Sequence, residues 1–351
     1  MILCVNLQDY NNSTHDSKRS RKARGLTRLA TPRSVWVLSD GKPGDEAQCI
    51  GVAEALAVPY TIRRVAPRPL FALLMPWGPI DPRDAPSRVG SPLAPPWPDV
   101  AIASGRRAVP YLRALRRASR GACFTVFLKD PRTGAGAADF IWVPEHDALR
   151  GPNVLATPTP PHRFSAQILE ECRAATPADI AALPAPRVAV LVGGDSRHHT
   201  FTPRDIESLS AKLQSLAASG AHLMITTSRR TPESLARVLR EIAASGDHVL
   251  WDGTGGNPLA DFLAHADAVV VTADSTNMVG EAAVTGKPVL VFEPSGGHAK
   301  IRHFLKKMSE LGITRPFAGR LETYRYEPLD STCTIAAAIL ERYRRKADAH
   351  A

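Results

Sequence analysis

A chain of 351 residues that is 44% apolar, 22% charged and 6% aromatic can bury a sizeable core, which rules out a disordered, collagenous or coiled-coil protein. Its net charge of +10 would suit a nucleic-acid binder, but no RNP, zinc-finger or helix-turn-helix signature accompanies it. The longest apolar stretches, 69–80 and 262–273, are broken by prolines or by His265 and Asp267 and fall short of the roughly 18 residues a spanning helix needs.

The charge is unevenly placed. Residues 1–33 hold seven Lys and Arg against Asp9 and Asp16, a net +5, in a segment rich in Ser, Asn and Thr. Low hydrophobicity with high charge cannot pack, so this segment is expected to be a disordered basic tail, with an organellar transit peptide as the competing reading. Five scattered cysteines (Cys4, Cys49, Cys123, Cys172, Cys333) without a CxxC pair argue against disulfides and zinc and fit a reducing cytoplasm.

From residue 34 onward short apolar runs alternate with helical patterns. Strands are expected at 34–39, 60–65, 99–103, 124–128 and 139–143, with helices at 45–57 and 109–119. Eleven of the 30 prolines fall between Pro59 and Pro98, which predicts an irregular stretch at 66–97 with at most one short helix. A second proline-rich stretch, 157–161 and 177–186, brackets one short helix near 165–174 and reads as a linker. The alternation then restarts. Strands are expected at 187–192, 222–226, 248–251, 268–272 and 288–292, helices at 203–218, 232–244, 259–264 and 277–285, and a last helix at 335–347. Such alternation implies parallel βαβ units, so the fold class is α/β, with two Rossmann-like domains facing across a cleft. The boundaries expected are 34–180 and 187–330, with a C-terminal helical segment at 331–351.

Ligands in this architecture bind beyond the carboxyl ends of the strands. There, two loops are rich in glycine and basic residues: Ser39-Asp40-Gly41-Lys42-Pro43-Gly44-Asp45 after the first strand and Gly193-Gly194-Asp195-Ser196-Arg197 in the second half. Ser104-Gly105-Arg106-Arg107 and Lys129-Asp130-Pro131-Arg132 repeat the theme on the first edge, and Thr227-Ser228-Arg229-Arg230 on the second. Backbone amides, hydroxyls and guanidinium groups together suit a diphosphate; a plain βα turn and a solvated surface are the competing readings. Asp274 or Ser275 is the expected N-cap of the helix beginning at Asn277, and Glu281 on that helix is either an exposed carboxylate or an acceptor for a ribose diol. Gly134 and Gly136 do not complete a dinucleotide fingerprint, and 280–288 fails as a Walker A loop because Pro288 stands where Ser or Thr is needed. There is no DxD sequence, and the pair His198 and His199 lacks further ligands, so no metal is expected.

Seven ordered blocks, SVWVLSDGKPGDEAQCIGVAEAL, PDVAIASGRR, FTVFLKDPR, VPEHDALRGPNVL, VLVGGDSRH, TTSRRTPE and ADAVVVTADSTNMVGEAAVTGKPV, resemble the mitochondrial-fission family named for elongated mitochondria in plants, over about 34–317. Its bacterial members are regarded as glycosyltransferases, similar in outline to the GT-B enzymes. The resemblance implies transfer of a sugar from a nucleotide-sugar, UDP- or another NDP-sugar, to a cell-envelope or lipid-linked acceptor, without cofactor or metal. It places donor binding on Gly193, Gly194, Ser196, Arg197, Ser228, Arg229, Asp274, Ser275, Asn277 and Glu281. Acceptor binding falls on Gly41, Lys42, Gly44, Ser104, Arg106 and Arg107. Asp40 is the preferred base, followed by Asp45 and Asp130; family members carry histidine in a GKPGHENQ version of this loop, where this chain has Asp45. Two alternatives stay open, a non-catalytic fission-type adaptor and a nucleotide-sugar epimerase.

An apolar run, 70–77, lies beside Arg63, Arg64 and Arg68, and Arg113, Arg116, Arg117 and Arg120 form a helical stripe. These features fit either core packing with a solvated face or peripheral attachment to an anionic membrane surface, here the inner membrane.

Overall fold

The computed structural model of the protein describes residues 30–349. The tail expected at 1–33 therefore lies outside the described residues except for its last four.

Two parallel six-stranded sheets form the body. The first is built from β1 (Val35–Ser39), α1 (Pro43–Ala55), β2 (Tyr60–Arg64), α2 (Pro69–Leu74), β3 (Val100–Ser104), α3 (Ala108–Ala118), β4 (Phe124–Leu128), β5 (Phe140–Pro144) and β6 (Val154–Thr157). Its strand order is β2-β1-β3-β4-β5-β6. Two short helices, α4 (Ala166–Ala174) and α5 (Ala178–Ala181), follow. The second sheet comprises β7 (Arg187–Leu191), α6 (Pro203–Ala218), β8 (His222–Thr226), α7 (Glu233–Ala244), β9 (Val249–Trp251), α8 (Leu259–His265), β10 (Ala268–Thr272), α9 (Thr276–Ala283), β11 (Val289–Phe292), α10 (Ala299–Glu310) and β12 (Thr314–Pro316). Its order is β12-β11-β10-β7-β8-β9. The last helix is α11 (Ser331–Asp348).

Central strands covered on both faces should read as unbroken apolar runs, and they do. Every residue of β1, β3, β4 and β10 is buried. The two faces of the first sheet carry separate cores, one around Trp36, Leu38, Tyr111 and Phe127, the other around Val37, Val52, Phe124 and Trp142. Into the second of these α11 inserts Ile335, Ala336 and Ile339, all but fully buried, so the chain's last helix crosses back from the second sheet to pack on the first. Burying one such isoleucine is worth about 2 kcal/mol. Thr159 Oγ1 meets Ser331 Oγ at 2.6 Å, and Thr332 bonds both the amide and the carbonyl of His162, which pins this return to the segment joining the halves.

The strand orders matter for function because each reverses direction once. In the first sheet the chain departs both ways from β1 and β3, in the second from β7 and β10. At such switch points the loops diverge to opposite faces and leave a crevice at the carboxyl edge.

Four elements go beyond the expected ones, the one-turn α5 of the linker among them. β6 and β12 are short edge strands, and β12 ends in Pro316, a residue that reads as a strand breaker in sequence. α10 was signalled by Ile301, Phe304, Leu305 and Met308 at i, i+3, i+4 and i+7. α11 begins four residues earlier than its apolar pattern, because Asp330 caps it by accepting from the Cys333 amide at 3.1 Å.

Candidate functional site

At the first switch point, the loop after β1 carries Asp40. Its side chain is only 1% exposed, with Oδ2 2.9 Å from Lys42 Nζ. Asp45, in the first turn of α1, is ion-paired with Lys129 from the loop after β4. Both carboxylates lie beside Gly105, the first residue after β3, Asp45 the more closely. A methyl group there would stand 3.2 Å from Asp45 Oδ2 and 3.7 Å from Asp40 Oδ1. Gly105 also has φ +84°, a conformation that side chains disfavour. Lys129 adopts φ +88° without being glycine, a strained geometry that brings its ammonium to Asp45. The cluster thus consists of two carboxylates, two lysines and one indispensable glycine.

The other residues expected on this edge divide by their partners. Ser104 Oγ donates to the Leu128 carbonyl and is buried, so it ties β3 to β4. Arg106 donates to the carbonyls of Ala72 and Met75 and holds the end of α2. Arg107 has no polar partner among the described residues and is half-exposed. Gly41 (φ +82°) and Gly44 shape the loop, and Gly44 lies against Asn277 of the other sheet. Asp130 is exposed and accepts from the Arg132 amide at 2.7 Å, which makes it a turn-former outside the carboxylate cluster.

At the second switch point, Asp274 is the keystone. Its side chain is fully buried and accepts from the Gly194 amide (3.1 Å), Thr272 Oγ1 (2.7 Å) and Arg230 Nη2 (2.9 Å). Arg230 reaches on to the carbonyls of Gly194 and Asp195. A methyl group on Gly193 would lie 2.2 Å from Asp274, and one on Gly194 2.0 Å from the Arg230 carbonyl. Asp274, Gly193 and Gly194, expected to touch a donor, therefore build the loop that presents other groups. Those groups are Arg197 and Arg229, both exposed and without a polar partner among the described residues. Ser196 Oγ accepts from the amides of His198 and His199, and Ser228 Oγ from the amide of Arg230.

Ser275 caps α9, accepting from the Met278 amide, and no acidic residue sits in the first turn of that helix. α1 differs: Asp45 and Glu46 already occupy its first turn. Of the two helix N-termini, α9 is the one whose positive end is left uncompensated. Glu281 stands four residues after Asn277 and so on the same face of α9. It is partly open to solvent yet has no hydrogen bond or ion pair among the described residues, and burial pushes its carboxyl up to about 7. An unpaired acid kept in such a place is poised to accept hydrogen bonds.

The two edges meet. Gln48 Nε2 on α1 donates to Asn277 Oδ1 on α9 at 3.1 Å. Across the cleft Lys300 pairs with Asp147, and Lys307 lies 3.8 Å from Glu145. A further cavity of about 430 Å³ opens beside these pairs, lined by Arg150, His303 and Lys306 among others. The loop Ser295–His298, which precedes α10, also reaches the site: Gly296 and Gly297 have φ above +100° and contact His198 and His199. His199 is buried, which lowers its pKa. Gly105 and Lys129 lay in the expected strand-end loops without a role of their own, and Gln48 and this loop were missing from the expected site; the SGGH sequence ahead of a helical pattern was the signal for the last.

Two Rossmann-like domains whose switch points face each other across a cleft define an α/β protein of the GT-B arrangement. More particularly, the chain belongs to the mitochondrial fission ELM1 family, whose model matches residues 43–343. It is similar to the mitochondrial fission protein ELM1 of Arabidopsis thaliana, with 29% identity over 269 residues, 69% of this chain and 63% of that protein. An uncharacterised Rickettsia prowazekii protein is 38% identical over 87 residues, 24% of this chain and 25% of its own length. The matched stretches span less than two thirds of these relatives. Among solved structures, the chain is similar to Staphylococcus aureus MnaA with UDP (TM-score 0.48, 12% identity, 90% of this chain and 91% of that one). It is also similar to Acinetobacter baumannii MurG (TM-score 0.45, 15% identity, 91% and 96%).

Proposed function

We propose that this protein is a glycosyltransferase that moves a sugar from a nucleotide-sugar, a UDP-sugar in the first instance, to a hydroxyl of a cell-envelope or lipid-linked acceptor. On this reading residues 34–180 receive the acceptor and 187–330 the donor. Asp40 takes the proton as the acceptor oxygen attacks the anomeric carbon, and the nucleoside diphosphate leaves. Arg197, Arg229, the Ser228 hydroxyl and the N-terminus of α9 meet the charge that develops on the diphosphate. Glu281 accepts hydrogen bonds from the ribose diol. Asp45, tied to Lys129, positions the loop that carries Asp40.

The observation that carries the reading is Glu281, a carboxylate with no polar partner among the described residues, on the face of α9 whose Asn277 meets the other domain.

A panel of purified UDP-, GDP- and dTDP-sugars tests it. Slow release of free nucleotide that Asp40→Asn abolishes, with binding retained, supports the reading; Glu281→Ala should lose binding itself. Equal loss of binding and turnover in both variants would sink this division of roles, and an epimerised sugar would make the protein an epimerase. Family membership favours a second reading, a non-catalytic adaptor, because the Arabidopsis relative is named for mitochondrial fission. Failure to bind any nucleotide-sugar would select it.

A further inference from the structure

The segment 70–77 was expected either to pack into the core or to face a membrane, and side-chain exposure decides between them. Phe71, Ala72 and Met75 turn inward onto the first sheet. Leu70, Leu73 and Leu74 turn outward and are 78%, 74% and 55% exposed, and Trp77 is 69% exposed. Their spacing, i, i+3, i+4 and i+7, places the leucines on one face of α2 with the tryptophan just beyond its end. Four of the seven large apolar side chains left exposed among the described residues thus lie within eight positions. Solvent-exposed leucines at this density mark an interaction surface.

The charges around it are of one sign. Trp77 shares a groove of about 480 Å³ with Arg113 and Arg117. Arg113 also donates to the carbonyl of Pro76, and Arg106 to those of Ala72 and Met75. None of these three arginines has a carboxylate partner among the described residues. The two acids of the surrounding stretch are engaged elsewhere: Asp81 is 2% exposed and bound by Arg68, and Asp84, partly exposed, accepts from the Tyr111 hydroxyl.

We propose that this surface docks the protein on an anionic lipid membrane, with the three leucines and Trp77 entering the headgroup boundary and Arg106, Arg113 and Arg117 engaging lipid phosphates. Apolar anchors framed by guanidinium groups fit that occupant, since the side chains supply apolar area and the cations supply attraction to negative lipid. Indole rings favour the same boundary. Arg106 belongs to the loop that also presents Gly105 to Asp40, so the docked face adjoins the candidate site. The inference stands whether or not the protein transfers a sugar.

Flotation of the full-length protein with phosphatidylcholine vesicles, with and without 30% phosphatidylglycerol in them (roughly the proportion that gives a strongly negative surface), tests it. Binding to the anionic vesicles should exceed binding to neutral ones by about tenfold and weaken at 0.5 M salt, taken as an order-of-magnitude step in screening. The Leu70→Ser/Leu73→Ser/Trp77→Ser variant should lose about tenfold in binding while keeping its melting temperature, because these side chains contribute little to the core. Arg117→Glu, a second variant outside the packing of α2, should lose anionic preference. Flotation of the triple variant at wild-type level would overturn the proposal, since the basic N-terminal segment or another surface would then carry the binding. A dimer that the triple variant dissolves, without flotation of the wild type, would overturn it in favour of a second copy.

Discussion

Replacing Glu281 with glutamine should make the protein more stable at neutral pH while removing its affinity for a nucleotide. The carboxyl sits near 7 in the folded protein against an ordinary 4.5, with burial as the cause. Between pH 4.5 and 7 the folded state therefore holds a proton that the unfolded state has released, so stability falls as pH rises through this window. At 1.36 kcal/mol per unit the full penalty above pH 7 is about 3 kcal/mol, and the partial opening of Glu281 to solvent reduces it to about 1–3 kcal/mol. Glutamine fills the same space without charge. Calorimetry at pH 5, 6, 7 and 8 should show the variant and wild type converging at pH 5. They should separate by several degrees at pH 8, since about 1 kcal/mol moves the melting temperature by 2–4 °C in domains of this size. UDP should stabilise the wild type and not the variant. On the proposed reading the ribose diol donates to the ionised form, so UDP affinity should drop about tenfold for each pH unit below 7. A stability gap that does not change with pH, or UDP binding of equal strength at pH 5.5 and 8, would refute the reasoning.

Gly105→Ala and Gly41→Ala form a matched pair, since both glycines have φ above +80° but only Gly105 faces carboxylates. Each should lose about 1 kcal/mol in urea unfolding from backbone strain, and only Gly105→Ala should also lower turnover, by pushing the Asp45 carboxylate aside. Arg230→Met should cost about 3 kcal/mol, because it leaves the buried Asp274 without its counter-ion. Arg197→Gln, by contrast, should stay within about 0.5 kcal/mol of wild type in unfolding while weakening nucleotide binding measured by titration calorimetry.

How much of this was legible in the chain depends on whether the feature is local. VWVLS, VAIAS and FTVFL read as buried strands because each is an unbroken apolar run, and GGDSR reads as a strand-end loop because two glycines precede polar groups. Strand order is not local. Nothing in the sequence says that β1 and β3, or β7 and β10, flank the reversals, yet those orders decide which loops meet. Likewise the glycines of GGDSR look like a phosphate cradle, and it takes the positions of Asp274 and the Arg230 carbonyl, 81 and 37 residues beyond Gly193, to show that packing alone demands them. Arg106 and Arg107 are adjacent and chemically identical; only the carbonyls of Ala72 and Met75 tell the one tied to α2 from the one without a polar partner among the described residues. The apolar run 70–77 has a core-like composition, and burial of Ala72 and Met75 bears that out for part of it while the leucines face outward.

The arginines therefore fall into two kinds, and the division carries the electrostatic argument. Arg68, Arg163 and Arg230 each have a carboxylate within 3 Å and spend their charge on structure. Arg107, Arg197 and Arg229 stand at strand ends with none. Exposed pairs contribute little to stability and are screened by salt, whereas Arg230 is anchored on a carboxylate that is fully buried. The fold should then tolerate a rise in ionic strength that dissociates a diphosphate from the unpaired set. The net charge of the chain bears on the proposed site through those few guanidinium groups, which among the described residues have no carboxylate partner.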